Sequence, residues 1–207
     1  MSLFNRFVNQ TRKPEGILGK IMVNGMNGGH AKLADWGISH LKSIKPEEIV
    51  ELGCGGGRNA GELLKSYPSA KVTAIDYSEI SVAKATEFNK EMITKGRCNV
   101  RHGDVSDLDL PKEKYDLATA FETIYFWPGL EKCFAEVGKV LKTGGTFMIV
   151  NESDGTDEVS LKYEKLIDGM KCHTVEEIST ALKSAGFSKV EADHHESKPW
   201  ITVIATK

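Results

Sequence analysis

The chain has 207 residues, 40% of them hydrophobic, with 27 Lys plus Arg against 29 Asp plus Glu. That length suits one domain with a sizeable core, and a net charge of -2 offers no broad attraction to nucleic acid or anionic membrane. Four scattered cysteines (Cys54, Cys98, Cys133, Cys172), a start unlike a signal peptide and no apolar run of about 20 residues point to a reduced, cytoplasmic protein without a membrane span.

The first 43 residues read as a helical arm. Ile17, Leu18, Ile21 and Met22 form a short apolar cluster, residues 24–29 interrupt it, and a second helix runs from about His30 to Lys42. The strand Ile49-Val50-Glu51-Leu52 then enters Gly53-Cys54-Gly55-Gly56-Gly57, followed by a helix from Asn59 to Tyr67 that Pro68 ends. Glycines in such a turn let a ligand approach main-chain N–H groups that a Cβ would block. Gly55-x-Gly57-x-x-Ala60 also fits the dinucleotide fingerprint, so the sign of charge must discriminate. A carboxylate at Glu51 repels a pyrophosphate and welcomes a cation; the plainer alternative is that Glu51 only caps the turn. Cys54 reads as a small residue between glycines rather than as a nucleophile.

A second apolar run, residues 70–75, ends in Asp76, the place where an acid receives ribose hydroxyls in such folds. Ser78 caps the next helix, whose expected apolar face is Ile80, Ala83, Phe88 and Met92, up to Lys95-Gly96. The third strand, Cys98 to His102, ends in Gly103-Asp104-Val105, where a carboxylate can accept a hydrogen bond from an adenine amino group. Each of these acids has the alternative of an ordinary exposed loop carboxylate; their common position after strands is what joins Glu51, Asp76 and Asp104.

The fourth strand, Tyr115 to Phe121, leads into Glu122 and the aromatics Tyr125, Phe126 and Trp127, whose ring faces can attract a sulfonium or shape an apolar pocket. Leu130, Cys133, Phe134, Val137, Val140 and Leu141 fall at helical spacing before Thr143-Gly144-Gly145, and a strand follows from Thr146 to Val150. Thr174 and Glu177 make a capping box for a helix with Val175, Ile178, Ala181, Leu182 and Ala185 on one face. Phe187 to Ala192 and Trp200 to Thr206 read as the last two strands. Strands alternating with helices imply an α/β fold with a doubly wound, mostly parallel sheet.

Glu51-Leu52-Gly53-Cys54-Gly55-Gly56-Gly57, Ala74-Ile75-Asp76-Tyr77-Ser78, Gly103-Asp104, residues 115–122 and residues 141–147 together resemble the class I S-adenosylmethionine-dependent methyltransferases, over most of the chain. The resemblance implies a Rossmann-like seven-stranded sheet of order 3-2-1-4-5-7-6. It also implies an arm at 1–43 closing over the cofactor, in which Met26-Asn27-Gly28-Gly29-His30 and Trp36 form the lid, and a methyltransferase domain at 44–207. Its cofactor is S-adenosylmethionine, with S-adenosylhomocysteine as product. The implied cofactor-binding residues in and after the glycine turn are Glu51, Gly53, Cys54, Gly55 and Asn59. On the adenosine side they are Asp76, Tyr77, Ser78, Asp104 and Val105, with Phe121 beside the methyl.

The implied reaction is in-line transfer of the methyl group to a small-molecule acceptor, with His30, Glu122 and Tyr125 nearest the chemistry. A histidine can take the acceptor's proton, so His30 is the first candidate for a general base; its alternative is helix capping. Of the adjacent His194 and His195, at most one can face a site. The missing Asn/Asp-Pro-Pro-Tyr/Phe tetrad argues against adenine or glutamine as acceptor. Glu152, Asp154, Asp157 and Glu158 read as solvated or substrate-facing acids, and neither they nor Cys172-His173 give a metal site. Two rival readings are an NAD-dependent oxidoreductase and a non-catalytic module that binds S-adenosylmethionine.

Overall fold

The structure is a computed structural model that describes residues 9–11, 14, 16, 19 and 28–207. The expected arm cluster Ile17, Leu18, Ile21 and Met22, and the lid residues Met26 and Asn27, lie outside the described residues. Seven strands form one sheet: β1 (Glu48–Leu52), β2 (Lys71–Asp76), β3 (Cys98–His102), β4 (Tyr115–Phe121), β5 (Leu141–Asn151), β6 (Lys189–His194) and β7 (Ile201–Thr206). Their order is β3-β2-β1-β4-β5-β7-β6, as the resemblance implied, and only β7 runs antiparallel to its neighbours, with Met148 opposite Ile204 and Ala192 opposite Val203.

The central strands are apolar almost throughout because helices cover both faces of a parallel sheet. On one face Ile49, Val72, Leu117 and Met148 pack against Leu33 and Ala34 of α1 (Ala31–Ser39) and Leu63 and Leu64 of α2 (Arg58–Ser66). On the other, Val50, Ala118, Phe147 and Ile149 meet Phe134 and Val137 of α5 (Leu130–Val140) and Ile178 and Leu182 of α7 (Val175–Ser184). Chain order reverses between β1 and β4, so the loops after β1, β2 and β4 open onto one crevice at the carboxyl ends of the strands.

Four elements depart from the sequence reading. The single helix expected after Ser78 is two, α3 (Glu79–Phe88) and α4 (Lys90–Thr94), broken at Asn89. Its buried side is Ser81, Ala85 and Asn89, whereas Ala83 and Phe88 are exposed. The reason is close approach to the glycine turn: a Cβ on Gly57 would lie 2.7 Å from the Ala85 Cα, so only small or hydrogen-bonding side chains fit there. Asn89 uses the contact, its amide donating to the carbonyls of Gly57 (2.8 Å) and Ala85 (3.0 Å).

β5 begins at Leu141 rather than at Thr146. Tyr115 pairs with Leu141 and Leu117 with Thr146, so the intervening residues bulge out of the ladder. A short helix, α6 (Glu158–Glu164), was not foreseen; Asp157 caps it by accepting from the Ser160 N–H (2.8 Å). β6 starts two residues late, as befits an exposed edge strand with little apolar alternation to read. The Thr174–Glu177 capping box forms in full.

Candidate active site

The turn after β1 is fixed by backbone geometry. Gly53 adopts φ +81°, and a Cβ there would stand 2.4 Å from Cγ2 of Thr123. The N–H groups of Gly53 and Cys54 both donate to the carbonyl of Ile75 at the end of β2 (2.8 and 2.9 Å). Asp76 completes the fastening: Oδ2 accepts from the Gly55 N–H and Oδ1 from the Ser78 N–H, both at 2.9 Å. α2 then starts from Gly57, whose lack of a side-chain cap leaves its first N–H groups facing the turn.

Two cavities meet around this turn. The larger, about 230 Å³, is lined by Asp76, Tyr77, Asp104 and Val105 on one side and by Phe126 and Trp127 on the other. The smaller, about 50 Å³, is lined by His30, Cys54, Arg58 and Asn59. Gly53, Gly55, Phe121 and Glu122 line both, so the crevice is continuous over the end of β4. The arm reaches both halves. Pro14 lines the larger cavity and its carbonyl accepts from the Ser78 hydroxyl (3.0 Å), while His30, Leu33 and Ala34 line the smaller.

Acidic groups dominate the electrostatics. Glu51 is 1% exposed, and burial, reinforced by the charge of Asp76, pushes its carboxyl up to about 8, against the pull of the Ala60 N–H. Its Oε2 has no hydrogen-bond partner among the described residues. Glu51 lines neither cavity; its carboxyl lies under the turn, near the Ala60 N–H at the start of α2. Burial also raises Asp76, while the Ser78 and Gly55 N–H groups hold it down. Glu122, its side chain 12% exposed, is pushed up to about 7 by burial and pulled down by the nearby His30.

The remaining expected residues separate into those at the crevice and those behind it. Asp104 is exposed at the rim; its Oδ1 accepts from the Ser106 N–H (2.8 Å). Ser78 is buried and lines neither cavity; its hydroxyl caps α3 and donates to the Pro14 carbonyl of the arm. Tyr125 also stands behind the wall rather than in it. Its hydroxyl donates to Oε1 of Glu122 (3.1 Å) and accepts from the Ser153 N–H (3.0 Å).

His30 occupies the N-cap of α1 without making a side-chain cap bond, so the capping alternative fails; its ring faces Glu122 and Glu152 instead. Ligand atoms of His30, Glu122 and Glu152 all lie within 4.8 Å of one another, a grouping that sequence spacing did not reveal. Neither His194 nor His195 lines the crevice; His195 packs on Trp36 and Trp200. Trp127 serves two ends, lining the larger cavity while stacking on Phe147. Arg58 escaped the sequence reading, although a cation directly after the glycine turn was its signal. It lines the smaller cavity and is held by Asp35 of α1 at 2.6 Å.

Among the described residues no helix is long and apolar enough to cross a membrane. The profile of the methyltransferase domain family matches residues 49–145, the span from β1 to the start of β5. The sterol 24-C-methyltransferase of Neurospora crassa is 27% identical over 176 residues, covering 78% of this chain and 46% of the relative. The chain thus spans about half the length of the curated relatives it matches. A putative O-methyltransferase from Nostoc punctiforme superposes with a TM-score of 0.81 at 15% identity, covering 95% of this chain and 62% of that one.

Geranyl diphosphate C-methyltransferase from Streptomyces coelicolor, solved with Mg2+, geranyl diphosphate and S-adenosyl-L-homocysteine, gives a TM-score of 0.71 at 13% identity, over 86% of this chain and 80% of that one. These likenesses lend no support to the oxidoreductase reading or to a non-catalytic module. The acidic-glycine turn, the acids after the first three strands and the reversed seventh strand accord with these matches: residues 49–145 match the methyltransferase domain family, and the sheet has the order of the Rossmann-like methyltransferase fold.

Proposed function

We propose that the protein transfers the methyl group of S-adenosylmethionine to a small-molecule acceptor with an apolar body. The carrying observation is the buried Glu51, which burial and Asp76 together keep from ionising freely and whose Oε2 lacks a partner among the described residues. A sulfonium and an ammonium placed in the adjoining crevice favour its charged form, whereas a diphosphate adds to the repulsion. In this reading the adenosine half lies in the larger cavity, with Asp76 receiving the ribose hydroxyls, Asp104 and Val105 the adenine, and Tyr77 along the rim. The amino-acid half lies in the smaller cavity against Cys54 and Asn59, with Arg58 offering a cation to the carboxylate.

That orientation brings the methyl group to the stretch common to both cavities, beside Gly53, Gly55, Phe121 and Glu122. The acceptor's lone pair attacks the methyl carbon as the C–S bond breaks, and the bond pair leaves on sulfur as S-adenosylhomocysteine. The donor is intrinsically activated, so the chain's own task is alignment and exclusion of water. His30 and Glu122 face the acceptor side, Tyr125 holds Glu122 in place, and the arm, residues 1–43, closes over the 44–207 domain as a lid. Phe126, Trp127 and Pro128 give the larger cavity apolar walls, in keeping with relatives named for sterol methylation. Four buried free thiols fit a reducing, cytoplasmic setting.

Calorimetry with S-adenosylhomocysteine and with NAD tests the cofactor, and transfer of radiolabelled methyl from S-adenosylmethionine into a small-molecule extract tests the reaction. Binding of S-adenosylhomocysteine but not NAD is expected, with label entering an apolar metabolite and His30→Ala lowering the rate. Heat with NAD alone overturns the reading.

A further inference from the structure

β4 and β5 are parallel neighbours in register, Phe121 opposite Val150, so their carboxyl ends fall side by side. Each strand is followed there by a glutamate, Glu122 after Phe121 and Glu152 after Asn151. Two links set the pair: the Glu122 N–H donates to the carbonyl of Val150 (2.9 Å), and the Glu152 N–H donates to Oε1 of Glu122. Tyr125 donates to the same Oε1, leaving Oε2 directed at His30, which the start of α1 carries to the crevice mouth.

We propose that His30, Glu122 and Glu152 bind one divalent transition-metal ion at the mouth of the crevice. The His30 ring stands 3.9 Å (Nδ1) from Oε2 of Glu122 and 3.7 Å (Nε2) from Oε2 of Glu152. Metal–ligand bonds of about 2.1 Å place adjacent octahedral ligands about 3 Å apart and opposite ones about 4.2 Å apart. One ion takes a single nitrogen of the His30 ring, and with one ligand atom from each residue the three lie within 4.8 Å of one another; the side chains therefore need to close by up to about 1.8 Å to occupy adjacent positions, and Glu152, with its side chain 51% exposed, has room to move toward the ion. One imidazole with two carboxylates suits Mn2+, Fe2+ or Zn2+ better than the all-oxygen preference of Mg2+ and Ca2+.

Two carboxylates also balance the charge of such an ion. Tyr125 supplies the outer hydrogen bond that commonly orients a ligating carboxylate. Coordination positions left over face the cavities that Glu122 lines, so the site suits an acceptor that presents an oxygen donor. The ion site goes beyond the proposed methyl transfer and does not depend on it.

The test uses the full chain, freed of metal with a chelator and titrated with MnCl2 alone, with bound and free Mn2+ read by electron paramagnetic resonance. One Mn2+ per chain is expected. Glu152→Gln and His30→Gln should each weaken it at least about tenfold, and Tyr125→Phe by about tenfold through lost orientation. Asp154→Asn, two residues from Glu152, should leave binding unchanged. Melting temperature and S-adenosylhomocysteine calorimetry on every variant report the fold and the cofactor pocket separately, so a failed cofactor pocket is told apart from a failed ion site. Wild-type protein that takes up no Mn2+, or uptake that Glu152→Gln and His30→Gln leave intact, overturns the proposal.

Discussion

Exchanging Glu51 for Gln is expected to make the ligand-free protein more stable at neutral pH while weakening its hold on the cofactor. The Glu51 carboxyl sits at about 8 in the fold against an ordinary 4.5. Between those values the folded chain keeps a proton that the unfolded chain has released, so stability falls as pH rises. Below 4.5 both states are protonated and the full contribution is present; it is lost progressively until pH passes about 8. At pH 7 the loss covers about two and a half pH units at about 1.4 kcal/mol each, roughly 3 kcal/mol.

The amide introduced by Glu51→Gln would keep an oxygen for the Ala60 N–H and would not ionise. Its NH2 group needs a partner, which adds an offset of about 1–3 kcal/mol that does not vary with pH. The pH slope is therefore the diagnostic quantity. Urea unfolding of both proteins at pH 5, 6, 7 and 8 should show the difference in stability shifting toward the variant by about 1.4 kcal/mol per unit. Parallel pH curves would refute the reasoning. With S-adenosylmethionine at pH 7, calorimetry in buffers of different ionisation enthalpy should show wild-type protein releasing close to one proton and the variant none. At pH 7 affinity should fall about tenfold for each unit by which the bound cation carries the Glu51 pKa below 7.

Three other substitutions probe the turn. Gly53→Ala places a Cβ 2.4 Å from Thr123 at φ +81°, and should cost at least about 2 kcal/mol in urea unfolding and abolish cofactor binding. Gly55→Ala, at φ +51° with nothing within 4 Å, should cost only about 1–2 kcal/mol, yet weaken S-adenosylhomocysteine binding in calorimetry because the methyl enters both cavities. Asn89→Ala strips a buried donor from the Gly57 and Ala85 carbonyls and should destabilise the fold by about 1–3 kcal/mol in urea.

Much of the frame could be read from the chain. Parallel strands covered on both faces are continuous apolar runs, so Ile49–Leu52, residues 71–75 and Tyr115–Phe121 announce themselves, and Thr174 with Glu177 marks a helix start by local hydrogen bonding alone. The acids that follow the strands were equally legible, since a strand end is a local property. Legibility failed where distant segments decide burial. Asn89 faces inward because Gly57 lies against α3, and Phe88 outward for the same reason. Ser78 and Tyr125 carry the right chemistry for ligand contact, but the fold commits their hydroxyls to Pro14, Glu122 and Ser153.

Glu51 shows the division within one residue. The sequence determined that a carboxyl stands at the turn between β1 and α2; the tertiary packing decided that it lies beneath the turn, stripped of water and kept from ionising by that burial and by Asp76. His30, Glu122 and Glu152 are separated by 92 and 30 positions in the chain, and only the register of β4 on β5 and the placement of α1 bring them together. Spacing along a chain encodes periodic elements, whereas proximity between elements arises from how their faces pack, which no local pattern records.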